Sequence, residues 1–500
     1  MASQWRWWKR GLAPYEAYTE AKNNYHATIR RAKNNKWNEF LENAQGREIF
    51  RAYKYTKPSR VERLPALAST NGLATDFRQK CDVLMEGLFP EPPVSQPLDW
   101  TNYREKPGWK WPRMIGGKIR QVILSSSTKT TPGPDRVSFR VLREAYEVIT
   151  QIFDALLPAL IEAGYHPKCW KEAIGVVLKK PQSPNSPRDY QQSKAYRIIS
   201  LLNCIGKVNE KIIANRLTSM AEVTDLLHPY QIGGRKQKSA IDAAMMLTNE
   251  IQHRRLTKEI TSAMFVDVKN AFGHVDLNQF GRTCMKLGLP KALCLWFQSF
   301  MEDRTIQLAF DGEIQSKVSM NAGIPQGSQV SPIMFLIYLH PVLKSVRLDD
   351  PNFPIKIPSY MDDIALMTWS KSIQTNKENL KRAAETLFRA GRDLQIDFDS
   401  AKTELIHFHR GHQYGGEENN IILINHGQLI EIPAKEEIKW LGVWFDRKLN
   451  FKRHTNERAA AALRQFHAIS RLSNTSRGLS FQAIRQLYIS CVESIGAYGV

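Results

Sequence analysis

The sequence predicts an α+β fold whose centre, between residues 261 and 410, is an antiparallel sheet with helices on one face. Three observations lead there. Apolar runs of strand length alternate with amphipathic helical stretches, but without a strict βαβ rhythm. Asp311-Gly312 separates two strand-like runs, residues 305–310 and 314–320, and Asp-Gly suits a two-residue hairpin turn. Residues 355–359 and 364–369 flank Tyr360-Met361-Asp362-Asp363, which sets two adjacent aspartates at the tip of a second hairpin.

Each element follows from local pattern. Residues 14–45 read as a helix, with Tyr18, Ala21, Tyr25, Ala32, Trp37 and Leu41 recurring among many lysines and arginines. They form either a basic arm or a solvated helix face. Residues 56–115 read as an irregular linker, broken by Pro58, Pro65, Pro90, Pro92, Pro93 and Pro97, with one short helix at 77–88. Residues 138–164 are helical through Leu142, Ala145, Ile149, Phe153, Leu157 and Leu160, and 173–178 are a strand. Helices are expected at 205–221 (Ile205, Val208, Ile212, Ile213, Leu217) and at 239–253. A short buried strand spans 263–268, residues 333–343 read as core despite His340 and Pro341, and 375–394 form a helix. Strands follow at 404–409 and 438–445, and the tail from 458 to 500 is mainly helical and basic. There is no internal repeat.

Composition bounds the function. A chain of 500 residues is too long for one compact core, so about two to four lobes are expected. The hydrophobic share of 42% and the charged share of 24% are ordinary for a globular chain. The charge is not: 70 basic against 49 acidic residues leave +21, and such a field draws polyanions, nucleic acid first. The six cysteines, at 81, 169, 204, 284, 294 and 491, form no CxxC pair and no zinc pattern, which fits a reducing compartment. No apolar run approaches the ~18–20 residues that cross a bilayer, so no membrane association is expected. Residues 1–10 hold three tryptophans among basic residues and lack the apolar stretch of a secretory signal; a short organelle presequence, and so a mitochondrial location, stays open.

Two neighbouring aspartates on a hairpin tip repel each other unless a cation neutralises them. Hard carboxylate oxygens suit Mg²⁺, which keeps waters and substrate phosphates as its other ligands. A third carboxylate on a neighbouring strand would let two ions clamp both ends of a phosphoryl transfer, and Asp267, closing the run Met264-Phe265-Val266, is the candidate. Taken alone, an Asp-Asp pair is usually a surface turn, and an aspartate after a strand is often only a helix cap. Order and context decide.

From about residue 130 to 450 the chain resembles the reverse transcriptases of non-LTR (LINE-like) retrotransposons. Thr131-Pro132-Gly133-Pro134-Asp135 resembles the first block of that family, and Tyr196-Arg197-Ile198-Ile199-Ser200-Leu201-Leu202-Asn203 with the helix to Leu217 resembles the second. Gln231-Ile232-Gly233-Gly234-Arg235 is similar to the third, and Phe265-Val266-Asp267-Val268-Lys269-Asn270-Ala271-Phe272 to the block of the first catalytic aspartate. Gly323-Ile324-Pro325-Gln326-Gly327-Ser328, followed by Ser331-Pro332, resembles the template- and nucleotide-binding turn, and Tyr360-Met361-Asp362-Asp363 the family's Tyr-x-Asp-Asp. Lys402-Thr403 and Trp440-Leu441-Gly442-Val443 resemble the last two blocks. The segments before residue 120 resemble the fungal members of the group.

The resemblance implies a right-hand polymerase: a basic helical arm at 1–60, a linker at 61–120, fingers at 121–260, palm at 261–410, and a palm–thumb junction with partial thumb at 411–500. It implies RNA-directed DNA synthesis, in which a DNA primer 3′-hydroxyl on an RNA template attacks a dNTP. Asp267, Asp362 and Asp363 would be catalytic and would hold two Mg²⁺ ions, with Mn²⁺ as a substitute. Lys180 and Arg197 would brace the triphosphate, although Lys179 competes with Lys180 for that register. Phe272 would exclude a 2′-hydroxyl, or else is ordinary core; Gln326 and Gly327 would line the pocket. Lys402 would protonate pyrophosphate, or else is a surface lysine. Gln231, Gly233, Arg235, Tyr360, Trp440, Leu441 and Gly442 would meet template and primer. Gly273 stands where the family often has a carboxylate, and Gly234 where an aromatic is common.

No endonuclease domain fits ahead of residue 120, and the chain stops at Ala497-Tyr498-Gly499-Val500 inside what reads as thumb, so a truncated element is expected. Nuclear residence follows from the family. Alternatives are an inactive, nucleic-acid-binding remnant and, with no maturase or zinc tail in view, a group II intron-type maturase. Phe272 and Tyr360-Met361 disfavour a viral RNA-dependent RNA polymerase.

Overall fold

The computed structural model describes residues 1–56, 63–70, 72–89, 96–107, 116–182, 188–224, 226–320, 322–348, 350, 352–410, 417–473 and 478–499. Of the features expected above, Pro58, Pro90, Pro92, Pro93 and Val500 lie outside the described residues. The chain divides into two compact units: Met1–Glu62 with Asn450–Val500, and Arg63–Leu449.

The smaller unit is helical. Tyr15–Asn43 is the long helix expected at 14–45, and it buries only Leu41. Arg47–Tyr55, Lys452–Ser470 and Phe481–Leu487 are further helices of this unit. Leu41, Ile49, Tyr53, Ile469, Leu472 and Leu487 share one core.

The larger unit begins with α1 (Phe77–Leu88), capped where the Asp76 carboxylate accepts from Gln79 N at 3.0 Å. The helix lies where the sequence placed its short one, but the described residues around it are not a loose linker. Leu67, Cys81, Leu84 and Leu88 are buried with Tyr196, Ile306 and Leu308, because the helix carries a one-sided apolar face that a free linker would leave in water.

That face packs on the first sheet. Here β1 (Glu172–Lys179) pairs antiparallel with β2 (Tyr196–Leu201) and parallel with β4 (Arg304–Phe310). Asp311 and Gly312 take the left-handed backbone of the expected turn, at φ 53° and 90°. The returning strand is broken into Glu313–Ile314 and Val318–Met320, both on β4. After β2 runs α2 (Cys204–Val223), with Val208, Ile212, Ile213 and Leu217 buried in the main core.

The second sheet has the order β5–β6–β3–β7, antiparallel throughout: β3 is Ile260–Asp267, β5 Ser359–Tyr360, β6 Asp363–Ser370 and β7 Glu404–Phe408. Leu277–Leu287, Lys291–Met301, α3 (Ser331–Lys344) and α4 (Ile373–Asp393) share the main core with Met264, Val266 and Leu366. The region therefore holds more helices than expected, and both hairpins stand where the sequence set them. The opposite face is not bare: Phe265 meets Trp440 there, ring centroids 5.4 Å apart.

Trp440 exposes an error of the sequence reading. Residues 438–445 are not one strand but a hairpin, β8 (Glu437–Trp440) and β9 (Val443–Asp446). Leu441 and Gly442, at φ 49° and 82°, form its turn. A leucine in left-handed backbone carries no signal in residue type, and an apolar Trp-Leu-Gly-Val run looks continuous. A further hairpin, Ile421–Asn425 with Gln428–Ile432, was also unforeseen although His426-Gly427 marks its turn.

Candidate active site

Strand register brings the three aspartates together. Asp267 is the last residue of β3 and the direct antiparallel partner of Asp363, the first residue of β6. Tyr360 pairs with Asp363, so Met361 and Asp362 form a two-residue turn, with Met361 at φ 57°. The hairpin expected around Asp362 and Asp363 therefore exists, and its tip abuts the end of β3.

The electrostatics of the trio call for a cation. Burial, then the charge of Asp267, raises the pKa of Asp362. Burial, then Asp362 and Asp267, pushes Asp363 up to about 7. Lys402 neutralises part of this: its Nζ bonds Asp267 Oδ2, and it reaches Asp399 Oδ2 at 3.2 Å. Burial opposes the ammonium, but the bonds to Asp267 and Asp399 outweigh it and lift Lys402 above its ordinary value. Asp399, held to Asp267 O through its own N–H at 2.9 Å, was missed by the sequence reading; an acidic residue three before a lysine was its only signal.

Among the described residues, no group of three or more His, Cys, Asp or Glu is drawn tightly enough to hold a metal unaided. Lys402 occupies the Asp267 carboxylate. The donor set nevertheless fits Mg²⁺: hard oxygens, two carboxyls whose pKa burial raises, and a lysine standing in as cation. Mg²⁺ takes one or two carboxylates and completes its shell with waters and phosphates.

Beside Asp267 and Asp362 opens a cavity of about 400 Å³. Lys180, Arg197, Phe272, Gln326, Gly327 and Lys402 all line it, so the structure gathers every residue of the expected nucleotide pocket. Lys180 directly follows β1, and its Nζ donates to Lys194 O at 2.9 Å. Burial, then repulsion from Lys402, Arg188 and Arg197, lowers its pKa. Cations that crowd one another around an open cavity favour an anionic occupant. Phe272 stacks on Phe335 at 5.5 Å and is only partly buried.

Leu88 and Phe89 also line the cavity and were not foreseen. Asn270, at φ 43°, donates from Nδ2 to Leu88 O at 2.9 Å. A Cβ on Gly273 would lie 2.5 Å from that carbonyl, which accounts for glycine where a carboxylate was expected. Nothing local could announce this contact, because it joins residues 182 positions apart.

The remaining predicted residues support the aspartate hairpin or lie at its margins. Gln231 is buried: its Oε1 accepts from Ser359 Oγ at 2.7 Å and its Nε2 donates to Gly233 O at 3.3 Å. Ile232 N donates to Ser359 O at 2.8 Å. A Cβ on Gly233 would sit 2.4 Å from Met361 N, so only glycine permits this approach. Gly234, at φ 75°, has Leu336 against the space an aromatic would need. Arg235 grips Glu222 with both arms, Nε to Oε1 at 2.8 Å and Nη2 to Oε2 at 2.5 Å. Trp440 is buried against Phe265, whereas Tyr360, Leu441 and Gly442 are half-buried at their hairpin tips.

A family model described as reverse transcriptase (RNA-dependent DNA polymerase) matches residues 178–445, more than half of the chain. The RNA-directed DNA polymerase from mobile element jockey of Drosophila melanogaster is 26% identical over 459 residues, 88% of this chain and 48% of that protein. The probable RNA-directed DNA polymerase from transposon BS of the same species is 27% identical over 386 residues, 77% of this chain and 41% of that protein. A retrovirus-related Pol polyprotein from the type-1 retrotransposable element R1 of Bradysia coprophila is 23% identical over 491 residues, 97% of this chain and 46% of that protein. The chain thus spans about half the length of the curated relatives it matches. Among solved structures, apo telomerase from Candida tropicalis truncated from its C-terminal domain aligns with TM-score 0.37 and 11% identity, over 57% of this chain and 55% of that one.

Proposed function

Because this chain belongs to the reverse transcriptase family, by its match over residues 178–445, we propose that it is the RNA-directed DNA polymerase of a non-LTR retrotransposon. The observation that carries the reading is the register pair Asp267–Asp363 with Asp362 in the adjoining turn, opening on a cavity rimmed by Lys180, Arg197 and Lys402.

In this reading Asp267, Asp362 and Asp363 hold two Mg²⁺ ions, for which Mn²⁺ can substitute. Bound there, the ions would activate the primer 3′-hydroxyl and neutralise charge on the transferring and leaving phosphates. Lys180 and Arg197 bind the triphosphate through charge-assisted hydrogen bonds. The Phe272 ring, backed by Phe335, closes the space a 2′-hydroxyl would need. Gln326 and Gly327 bring backbone close to the nucleotide. Lys402, which bonds Asp267 at the cavity wall, would be placed to protonate the departing pyrophosphate. Gln231, Gly233 and Trp440 support the two hairpins, whose tips at Tyr360, Leu441 and Gly442 meet primer and template, with Arg235 nearby.

Residues 121–260 serve as fingers, 261–410 as palm, and 411–500 as palm–thumb junction with partial thumb. Nuclear residence and a fungal host, read from the family and the basic arm, belong to the same proposal. The chain's charge of +21 supports nucleic-acid partners, and no helix among the described residues is long and apolar enough to cross a membrane. The test is primer extension: purified chain, an RNA template, a DNA primer, dNTPs and Mg²⁺. Extension into template-complementary DNA is expected. An inert chain that still binds the duplex would favour the nucleic-acid-binding remnant instead.

A further inference from the structure

The turn that carries Gln326 and Gly327 is fastened on two sides. On one, Ser200 N donates to Gln326 O at 2.6 Å, and Ser331 Oγ donates to Pro325 O at 3.0 Å. Gly327, at φ 124°, lies so close to β2 that a Cβ would stand 2.5 Å from Ser200 O. On the other side is Glu210, from the middle of α2, with 1% of its surface exposed. Its Oε2 accepts from Ser328 Oγ at 2.6 Å and from Gln329 N at 3.0 Å. Ser328 Oγ in turn accepts from Val330 N at 3.2 Å. One carboxylate oxygen therefore holds two consecutive residues after Gly327, and Ser328 in turn holds the third.

Packing does not explain a carboxylate here. Burial raises the pKa of Glu210, while Ser328, the buried Arg304, the Gln329 amide and Lys207 counter it. Arg304 offers no direct bond: among the described residues Glu210 Oε1 and Arg304 Nη2 have no hydrogen-bond partner. An apolar residue of similar volume at a buried charged position is often neutral or stabilising, so stability alone would not retain the acid. What the carboxylate does supply is two strong acceptor contacts to a turn that forms part of the cavity wall.

We infer that Glu210 is a positioning residue for nucleotide binding: it holds the 326–329 turn in the shape that receives the dNTP before the dNTP arrives. The inference rests on the polymerase reading above. A turn that is only partly in its competent shape weakens apparent affinity by that fraction, while chemistry after binding is little changed. Glu210→Ala should therefore raise KM for dNTP about ten- to a hundredfold and leave kcat and the KM for primer–template within about threefold. Glu210→Gln keeps an oxygen that accepts both hydrogen bonds, and should return KM to within about threefold of the parent. Ser328→Ala removes one bond of the two and should fall between; it also stands in should Glu210→Ala fail to fold.

The experiment is steady-state primer extension by the full chain with dNTP varied, together with hydrogen exchange at the Gln329 amide of the substrate-free proteins. Exchange should speed up about tenfold or more in Glu210→Ala and stay slow in Glu210→Gln. A parental KM in Glu210→Ala, equal losses in the Ala and Gln variants, or a fall in kcat at constant KM would each overturn the inference. An inert parent chain would instead sink the polymerase reading, and the Gln329 exchange would then decide alone whether Glu210 holds the turn.

Discussion

Gly233→Ala tests how the aspartate hairpin is held in place. The added methyl would meet Met361 N at 2.4 Å, Tyr360 C at 2.8 Å and Tyr360 Cα at 2.9 Å, all backbone atoms that cannot swing aside. Ordinary contact begins at 3.4 Å, so the turn bearing Asp362 must move by about 1 Å. Overpacking of this kind costs about 1–3 kcal/mol, which leaves a domain of this size folded with its melting point a few degrees lower. Catalysis is far less tolerant, because a misplacement of about 1 Å in a reacting constellation can cost ~10²-fold. Single-turnover primer extension at saturating dNTP and Mg²⁺ should therefore slow about a hundredfold, while circular dichroism reports an intact fold. Gly117→Ala is the control: a Cβ there meets nothing within 4 Å, and alanine in a helix gains roughly 0.5–1 kcal/mol over glycine. Extension by Gly233→Ala at the parental rate would refute the argument that this contact positions the aspartates.

Two further outcomes follow from the same site. Phe272→Val, which removes the ring stacked on Phe335, should improve incorporation of rNTP relative to dNTP about ten- to a hundredfold, as competition assays would measure; an unchanged ratio removes the steric gate. Asp363, held at about 7 against 3.8 unfolded, keeps a proton in the fold that the unfolded chain releases. Its contribution is full below pH 3.8 and is lost as pH rises through about 7, a loss of up to about 4 kcal/mol without metal. Melting in chelator should accordingly fall from pH 5 to pH 8, and Mg²⁺ should raise the melting point more at pH 8 than at pH 5; equal metal effects at both would contradict this.

How much of this was legible in the sequence differs by element, for physical reasons. The strand ending at Asp267, the hairpin at Asp311-Gly312 and the turn at Met361-Asp362 were readable because apolar alternation and turn chemistry are local signals. The gathering of Lys180, Arg197, Phe272, Gln326, Gly327 and Lys402 around one cavity was legible only through the resemblance, since those residues come from five separate stretches of chain. Leu88 and Phe89 belong to a segment read as linker, and only packing against the first sheet brings them to the cavity. Glu210 escaped because a charged residue in an amphipathic helix ordinarily reads as solvent-facing, and only its distant partners Ser328 and Gln329 mark it as buried. The β8–β9 turn escaped because Leu441 takes a backbone conformation that its residue type does not announce.

The central claim is that the carboxylates at the meeting of β3 and the β5–β6 turn carry out nucleotidyl transfer. Asp362→Asn keeps the size of the side chain and removes its charge, so burial and the turn should survive. Extension of a DNA primer on an RNA template with Mg²⁺ should fall at least about a thousandfold, with melting and duplex binding unchanged. Extension by Asp362→Asn at a rate near the parent's would contradict the account.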